Sequence, residues 1–142
     1  MTVAAAAPHT SAVVGALVAA SVRVGRGLQP AGSGWQGEEG ESDFKGYAVV
    51  YPGTGTPDGS VANPTEYLGY ICQVTCVGAT QDGAEIVADL VKAALADRPL
   101  SVAGRSSYRG QILLDRPASR DDTVSPPVHY AVLQFGWTTQ AT

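Results

Sequence analysis

The chain is short of charge. Asp, Glu, Lys and Arg make up 15% of its 142 residues, against about 25% in an average soluble domain. Its nine basic residues are scattered, and thirteen acidic ones leave a net charge of −4. A protein that grips nucleic acid needs a basic stripe, because much of the affinity comes from counterions released by the phosphates. The acidic balance therefore argues against sequence-specific DNA binding. Cysteine is scarce as well, with only Cys72 and Cys76. In one strand these two would lie about 13 Å apart at ~3.3 Å per residue, too far for a disulfide. They read as small buried apolar side chains in a reducing compartment. The only histidines are His9 and His129, and their spacing suits no zinc site. Neither a metal nor a cofactor is expected. Long apolar runs are missing too. Ala12 to Val22 is eleven residues, whereas a bilayer span needs about 20. No cation precedes that run as a secretion signal requires, so the reading is a soluble, unprocessed protein with no membrane contact.

Catalytic patterns are equally thin. Gly32-Ser33-Gly34 lacks the spacing of a nucleophile elbow and follows no strand. Gly25-x-Gly27 and Gly53-x-Gly55 lack the further glycine of a dinucleotide-binding turn, and there is no Walker motif. Cys76 and His129 would form a dyad only if their strands were neighbours, and a reactive cysteine needs an exposed, electropositive site. The acidic run Glu38, Glu39, Glu41 and Asp43 lacks the alternating frame and terminal Glu of a calcium loop. The chain does not read as an enzyme.

What is present is enough for one core. The length suits a single domain over 1–142. A folded chain of this size exposes roughly 6,900 Å². Residues 1–7 are Ala-rich and read as frayed. Pro8 to Val24 reads as a helix capped by Thr10 or Ser11, with Val13, Val14, Leu17, Val18 and Ser21 on one stripe. Gly-rich 25–46 and turn-rich 52–66 read as long loops. Between them Tyr47 to Tyr51 is a strand.

Tyr67 to Val77 is a long strand that places Leu68, Tyr70, Cys72, Val74 and Cys76 on one face. Thr80 opens a second helix to Ala96, with Ile86, Val87, Leu90, Val91, Ala94 and Leu95 as its apolar stripe. Leu100 to Ala103 and Gln111 to Leu114 read as short strands, and 115–127 as a polar loop. Val128 to Thr138 is the closing strand, with His129, Ala131, Leu133, Phe135 and Trp137 on one face. Trp35 and Trp137 are candidates for contact with a ligand or partner. The order predicts an α+β fold: a mainly antiparallel sheet flanked by two helices, with long extended loops or arms.

The string YLGYICQVTCVGATQDGAEIVADLVKAALAD from Tyr67 to Asp97 resembles the tail terminator, or tail completion, proteins of long-tailed phages, especially those of actinobacterial hosts. AVVGALVAA at 12–20, YAVVYPGTGTPDGSVANP at 47–64 and HYAVLQFGW at 129–137 fit the same pattern. The acidic segment Gly37–Asp43 departs from it. The resemblance implies a homo-oligomeric ring of six copies on the head-proximal end of the tail tube. Such a ring ends tube growth and meets the connector or stopper of the neck, and genomic DNA passes through its channel. It works without cofactor or catalytic residue and resides in the virion, after assembly in the host cytoplasm.

On this reading Glu38, Glu39, Glu41 and Asp43 are candidates for a lumen or inter-ring contact, since an acidic lining repels phosphates. Tyr67, Ile71 and Trp137 are candidates for the subunit interface. Other expectations compete with this one: a different connector, stopper or tube subunit, a small α+β enzyme, or a monomeric ligand-binding module.

Overall fold

A computed structural model describes residues 3–36, 43–124 and 126–142. In chain order it holds helix α1 (Ala7–Ala19) and strands β1 (Val24–Arg26), β2 (Gly34–Trp35), β3 (Phe44–Lys45), β4 (Tyr47–Pro52), β5 (Thr56–Ser60) and β6 (Asn63–Gly78). Helix α2 (Gln81–Leu95) follows, then β7 (Arg105–Ser107), β8 (Gln111–Asp115), β9 (Ser119–Asp121) and β10 (Val128–Ala141). The α+β class with a mostly antiparallel sheet is as the sequence predicts.

Two long alternating strands form the spine. β6 and β10 pair antiparallel from Gly78↔His129 to Tyr67↔Gln140. Their even–odd alternation sends Leu68, Tyr70, Cys72, Val74 and Cys76 to the same side as Ala131, Leu133, Phe135 and Trp137, all buried. β4 and β5 lie end to end along the other edge of β6. β9, β8 and β7 line the outer edge of β10 in that order. β1 joins β4 in parallel, the one exception among these pairings. β2 and β3 form a separate small ribbon.

Both helices cover one face of the sheet, α2 over β6 and β10, with α1 beside it. Side chains of α1, α2, β4, β6 and β10 merge there into one core. α2 sits close because glycines lie beneath it. A Cβ on Gly78 would fall 2.4 Å from the Ala84 nitrogen, and one on Gly46 would fall 2.8 Å from a Val87 methyl. The Thr80 hydroxyl accepts from the Gly83 N–H at 3.0 Å and starts the helix.

The close approach changes which residues face the core. Ala84, Val87, Ala88, Val91 and Leu95 are buried. Ile86 and Leu90, expected in the stripe, are 61% and 43% exposed. Small side chains suit the shallow gap and the bulky pair is turned out. α1 is shorter than expected and has no side-chain cap at Ala6. Thr10, a predicted cap, points inward instead, and Val18 is exposed while Val13 and Leu17 are buried.

The segments 25–46 and 52–66, expected as loops, carry β1, β2, β3, β5 and the start of β6. Turn chemistry hides β5, whose sequence is TPDGS. Gly59 is required there, since a Cβ would sit 2.0 Å from the Asn63 carbonyl oxygen. Leu100–Ala103 is not a strand; the edge is formed by a Pro99↔Arg109 bridge and by β7. The polar loop 115–127 contains β9. Among the described residues no helix is long and apolar enough to cross a membrane.

Candidate functional site

The face of the sheet opposite the helices is covered unevenly: Val49 and Val77 on it are buried, whereas Tyr51 and Ile71 are exposed. Pairing register arranges its side chains in rows. Tyr47, Val77 and Tyr130 share one row, Val49, Thr75 and Val132 the next, and Tyr51, Gln73 and Gln134 the one after. The following row brings Ile71 beside Gly136. Apolar and aromatic side chains share these rows with Thr75, Gln73 and Gln134, and none of the row residues is charged. The whole chain exposes 7821 Å², more than the ~6,900 Å² expected for its size.

The two ends of this face differ. At one end the β2–β3 ribbon folds over it. Trp35 meets Phe44 edge-on with ring centres 5.2 Å apart, and Phe44 stacks on Tyr47 at 6.3 Å. A slot of about 390 Å³ remains beneath, reached by Thr75, Asp121 and Tyr130. The Trp35 indole N–H is buried and has no acceptor among the described residues.

At the other end no flap is formed by the described residues. A groove of about 890 Å³ runs over Gly69 and Gly136 between walls formed by Ile71, Leu113 and Tyr108, with Arg109 at its mouth. Gly136 makes the floor low. A Cβ there would meet Leu113 at 2.9 Å and Ile71 at 3.7 Å. The three walls are 47–58% exposed, the values being 48% for Ile71, 47% for Leu113 and 58% for Tyr108. Clustered apolar exposure of this kind marks a surface made to be covered. Nearby, the outer edge of β7, β8 and β9 has no strand beside it among the described residues, which leaves backbone donors and acceptors free there.

The predicted site residues divide between the two faces. Ile71 and the half-buried Tyr67 lie on the open face. The nearby Glu66 carboxylate, more than any burial, raises the pKa of the Tyr67 phenol. Trp137 lies on the covered face, 3% exposed. Its indole donates to the Arg98 carbonyl at 2.9 Å, and its ring stacks between Tyr70 and Phe135. Asp43 is exposed ahead of β3. Glu38, Glu39 and Glu41 lie outside the described residues. The groove residues Leu113, Tyr108 and Gly136 were not singled out from sequence. Gly136 breaks the alternation of β10, the one signal that pointed there.

The strands of the candidate dyad are neighbours, but Cys76 pairs with Ala131 and His129 with Gly78. Burial pushes both the Cys72 and Cys76 thiols up to about 12. At neutral pH they hold their protons, so neither is a nucleophile. Among the described residues no group of His, Cys, Asp and Glu is placed to hold a metal ion.

A buried polar chain ties the two termini of the fold together. His9 is wholly buried. Its Nδ1 lies 2.9 Å from the Ala5 carbonyl and its Nε2 2.7 Å from the Thr139 hydroxyl. A carbonyl only accepts, so Nδ1 carries the proton and Thr139 donates to Nε2. The Thr139 oxygen in turn accepts from Arg105 Nε at 2.9 Å. Beside it the Thr10 and Tyr70 hydroxyls are bonded at 2.5 Å. Burial lowers the His9 pKa, the Ala5 bond opposes that, and Arg105 adds to it. Every member of the chain is satisfied with a neutral imidazole.

No family model and no curated protein matches the sequence. Solved structures do. One, described as the virion of a native gene transfer agent particle, contains a chain 15% identical to this one. The match covers 99% of this chain and 100% of that chain at a TM-score of 0.69. A second solved chain is 19% identical, with 96% and 93% covered, at a TM-score of 0.47. The first likeness shows a shared fold along the whole described chain.

Proposed function

We propose that this chain is a structural subunit of a phage-like virion, a tail terminator. In this role it forms a ring, six copies by the family resemblance, on the head-proximal end of the tail tube. The ring ends tube polymerisation and receives the connector or stopper of the neck. The whole of 1–142 serves as one domain, and no catalysis or cofactor is required.

The observation that carries the reading is the open apolar face of the β6–β10 sheet in a fold shared end to end with a chain from a virion particle. A tile in a closed assembly needs surfaces that neighbours cover, whereas an enzyme needs a cleft with converging polar groups. The groove sets apolar walls and one charged residue, Arg109, beside Thr56, Ser107, Gln111 and Thr138. The acidic run Glu38, Glu39, Glu41 and Asp43 belongs on this reading to the lumen or to an inter-ring contact, where it keeps passing DNA from sticking. Replacing all four with neutral residues then slows DNA ejection or impairs joining; unchanged ejection and joining reject that placement.

Electron microscopy of particles with a tag inserted at Val61, fully exposed at the tip of the β5–β6 hairpin, tests the role. The expected image is a collar of density where tail meets head. Without the chain, tails grow to uncontrolled length and heads stay unjoined. Label along the whole tube, or within the head alone, overturns the assignment.

A further inference from the structure

Two apolar features lie on opposite sides of the sheet, and neither has a partner among the described residues. On the helix layer, α2 turns Ile86 and Leu90 outward, one helical turn apart, 61% and 43% exposed. The same outer surface of α2 carries Asp82, Glu85 and Asp89, all exposed. None of these carboxylates forms an ion pair among the described residues. The result is an apolar ridge with an acidic border.

On the sheet layer is the open groove over Gly69 and Gly136. Arg109 is its one charged lining residue. The Arg109 bond to Asp97 is long, 3.4 Å, with both side chains mostly in solvent, so it holds the arginine only weakly. The two features match in sign, acid against arginine. They also match in scale. Ile86 and Leu90 are about 6 Å apart along the helix at ~1.5 Å per residue, and the two glycine hollows lie diagonally across paired strands, ~7–8 Å apart.

We infer that the Ile86–Leu90 ridge of one copy seats in the Gly69–Gly136 groove of the next copy. Because ridge and groove point in opposite directions, a two-fold pair cannot engage both at once. One engaged contact leaves a free ridge on one copy and a free groove on the other. Contacts of this kind run head to tail and close into a ring when the rotation allows. The inference deepens the virion-tile reading and rests on it.

Complementation of two broken surfaces is the test. The ridge variant carries Ile86→Asp and Leu90→Asp, and the groove variant carries Ile71→Asp and Leu113→Asp. All four positions are exposed, and circular dichroism melts confirm that each variant is folded. Size-exclusion chromatography with light scattering is run on the full chain up to millimolar concentration. Wild type forms a closed oligomer, and each variant alone stays monomeric. Their equimolar mixture forms a 1:1 dimer and nothing larger, because one intact ridge meets one intact groove.

Should the groove variant fail to fold, Arg109→Glu replaces it, and mixing it with an otherwise intact Asp89→Lys copy restores assembly, because each groove then meets a ridge of opposite charge. A ridge variant that assembles like wild type overturns this contact and leaves the virion-tile reading standing. So does a mixture of folded variants that stays monomeric. A wild type that is monomeric at every concentration overturns both.

Discussion

The two faces of the β6–β10 pair are built from adjacent residues of the same strands, yet they obey different rules. On the covered face Leu68, Tyr70, Val74, Leu133 and Phe135 are shielded from solvent to within 1%. On the open face Ile71 and Leu113 keep 48% and 47% of their surface in solvent. The covered face stabilises the monomer, since burying a large apolar side chain contributes about 1.5–3 kcal/mol. Around Ile71 the open face contributes little to the monomer, and on the proposed reading its apolar area is what a neighbour covers. Stability and assembly are thereby separated by one step along the strand.

The largest expected effect tests that separation directly. Leu133→Ala removes a core side chain beneath α2 and costs about 2–5 kcal/mol in urea unfolding. Ile71→Ala costs the isolated chain within about 0.5 kcal/mol but weakens assembly. Equal losses at the two sites would mean that the open face is part of the core.

The next effect concerns how α1 is fastened to the covered face. His9→Ala leaves the Thr139 hydroxyl without its buried acceptor and costs about 1–3 kcal/mol at pH 8. The wild-type dependence on pH has a definite sign. Burial holds the folded His9 neutral below its ordinary pKa of 6.5, while the unfolded chain takes up the proton there. The unfolded state then binds more protons, so stability falls as pH drops below about 6.5 and is level above it. His9→Ala flattens that fall. An unchanged slope would show that another group carries it.

The same contrast explains how much of the molecule was legible in the sequence. The alternation of Leu68 to Cys76 and of Ala131 to Trp137 announced the covered face, because burial on one side imposes a period of two. Thr80, standing before an amphipathic run, announced α2. The outward turn of Ile86 and Leu90 was not legible. It depends on Gly46 and Gly78 lying under the helix, a long-range approach that helical periodicity does not encode. β5 was masked by Pro57, Asp58 and Gly59, whose turn preferences are overridden by pairing with β6. His9 was read only as a histidine without a zinc pattern; its partner Thr139 lies 130 residues away and lay beyond the expected end of β10. The groove was half visible: Ile71 was marked, while Leu113 reaches it through the β8–β10 pairing and Tyr108 through its N–H bond to the Thr138 carbonyl, just after β7.

A smaller effect tests the starting signal of α2. Thr80→Ala removes the hydroxyl that accepts from the Gly83 N–H and costs about 1 kcal/mol. Because α2 supplies both part of the core and the proposed ridge, its loss frays the first turn near Ile86 more than it disturbs the strands. Hydrogen exchange reads this as faster exchange confined to the start of α2. Uniform acceleration across β6 and β10 would instead tie the cap to global opening.

The smallest effect on stability gives the sharpest view of the boundary between the faces. Cys72 is 1% exposed, and burial raises its thiol to about 12. Its neighbour Ile71 points the other way. Ile71→Cys places a thiol in the open groove, where an ordinary pKa near 8.5 applies. At pH 8 the thiolate fraction then differs between the adjacent positions by on the order of 10³-fold. A thiol reagent added to the native variant labels one sulfur per chain rapidly and leaves Cys72 and Cys76 untouched until the protein unfolds. Adding ridge-bearing copies protects the new cysteine alone, because only the open face is covered by assembly. Protection of the native cysteines in the same titration would show that the reagent had been reading transient opening of the core.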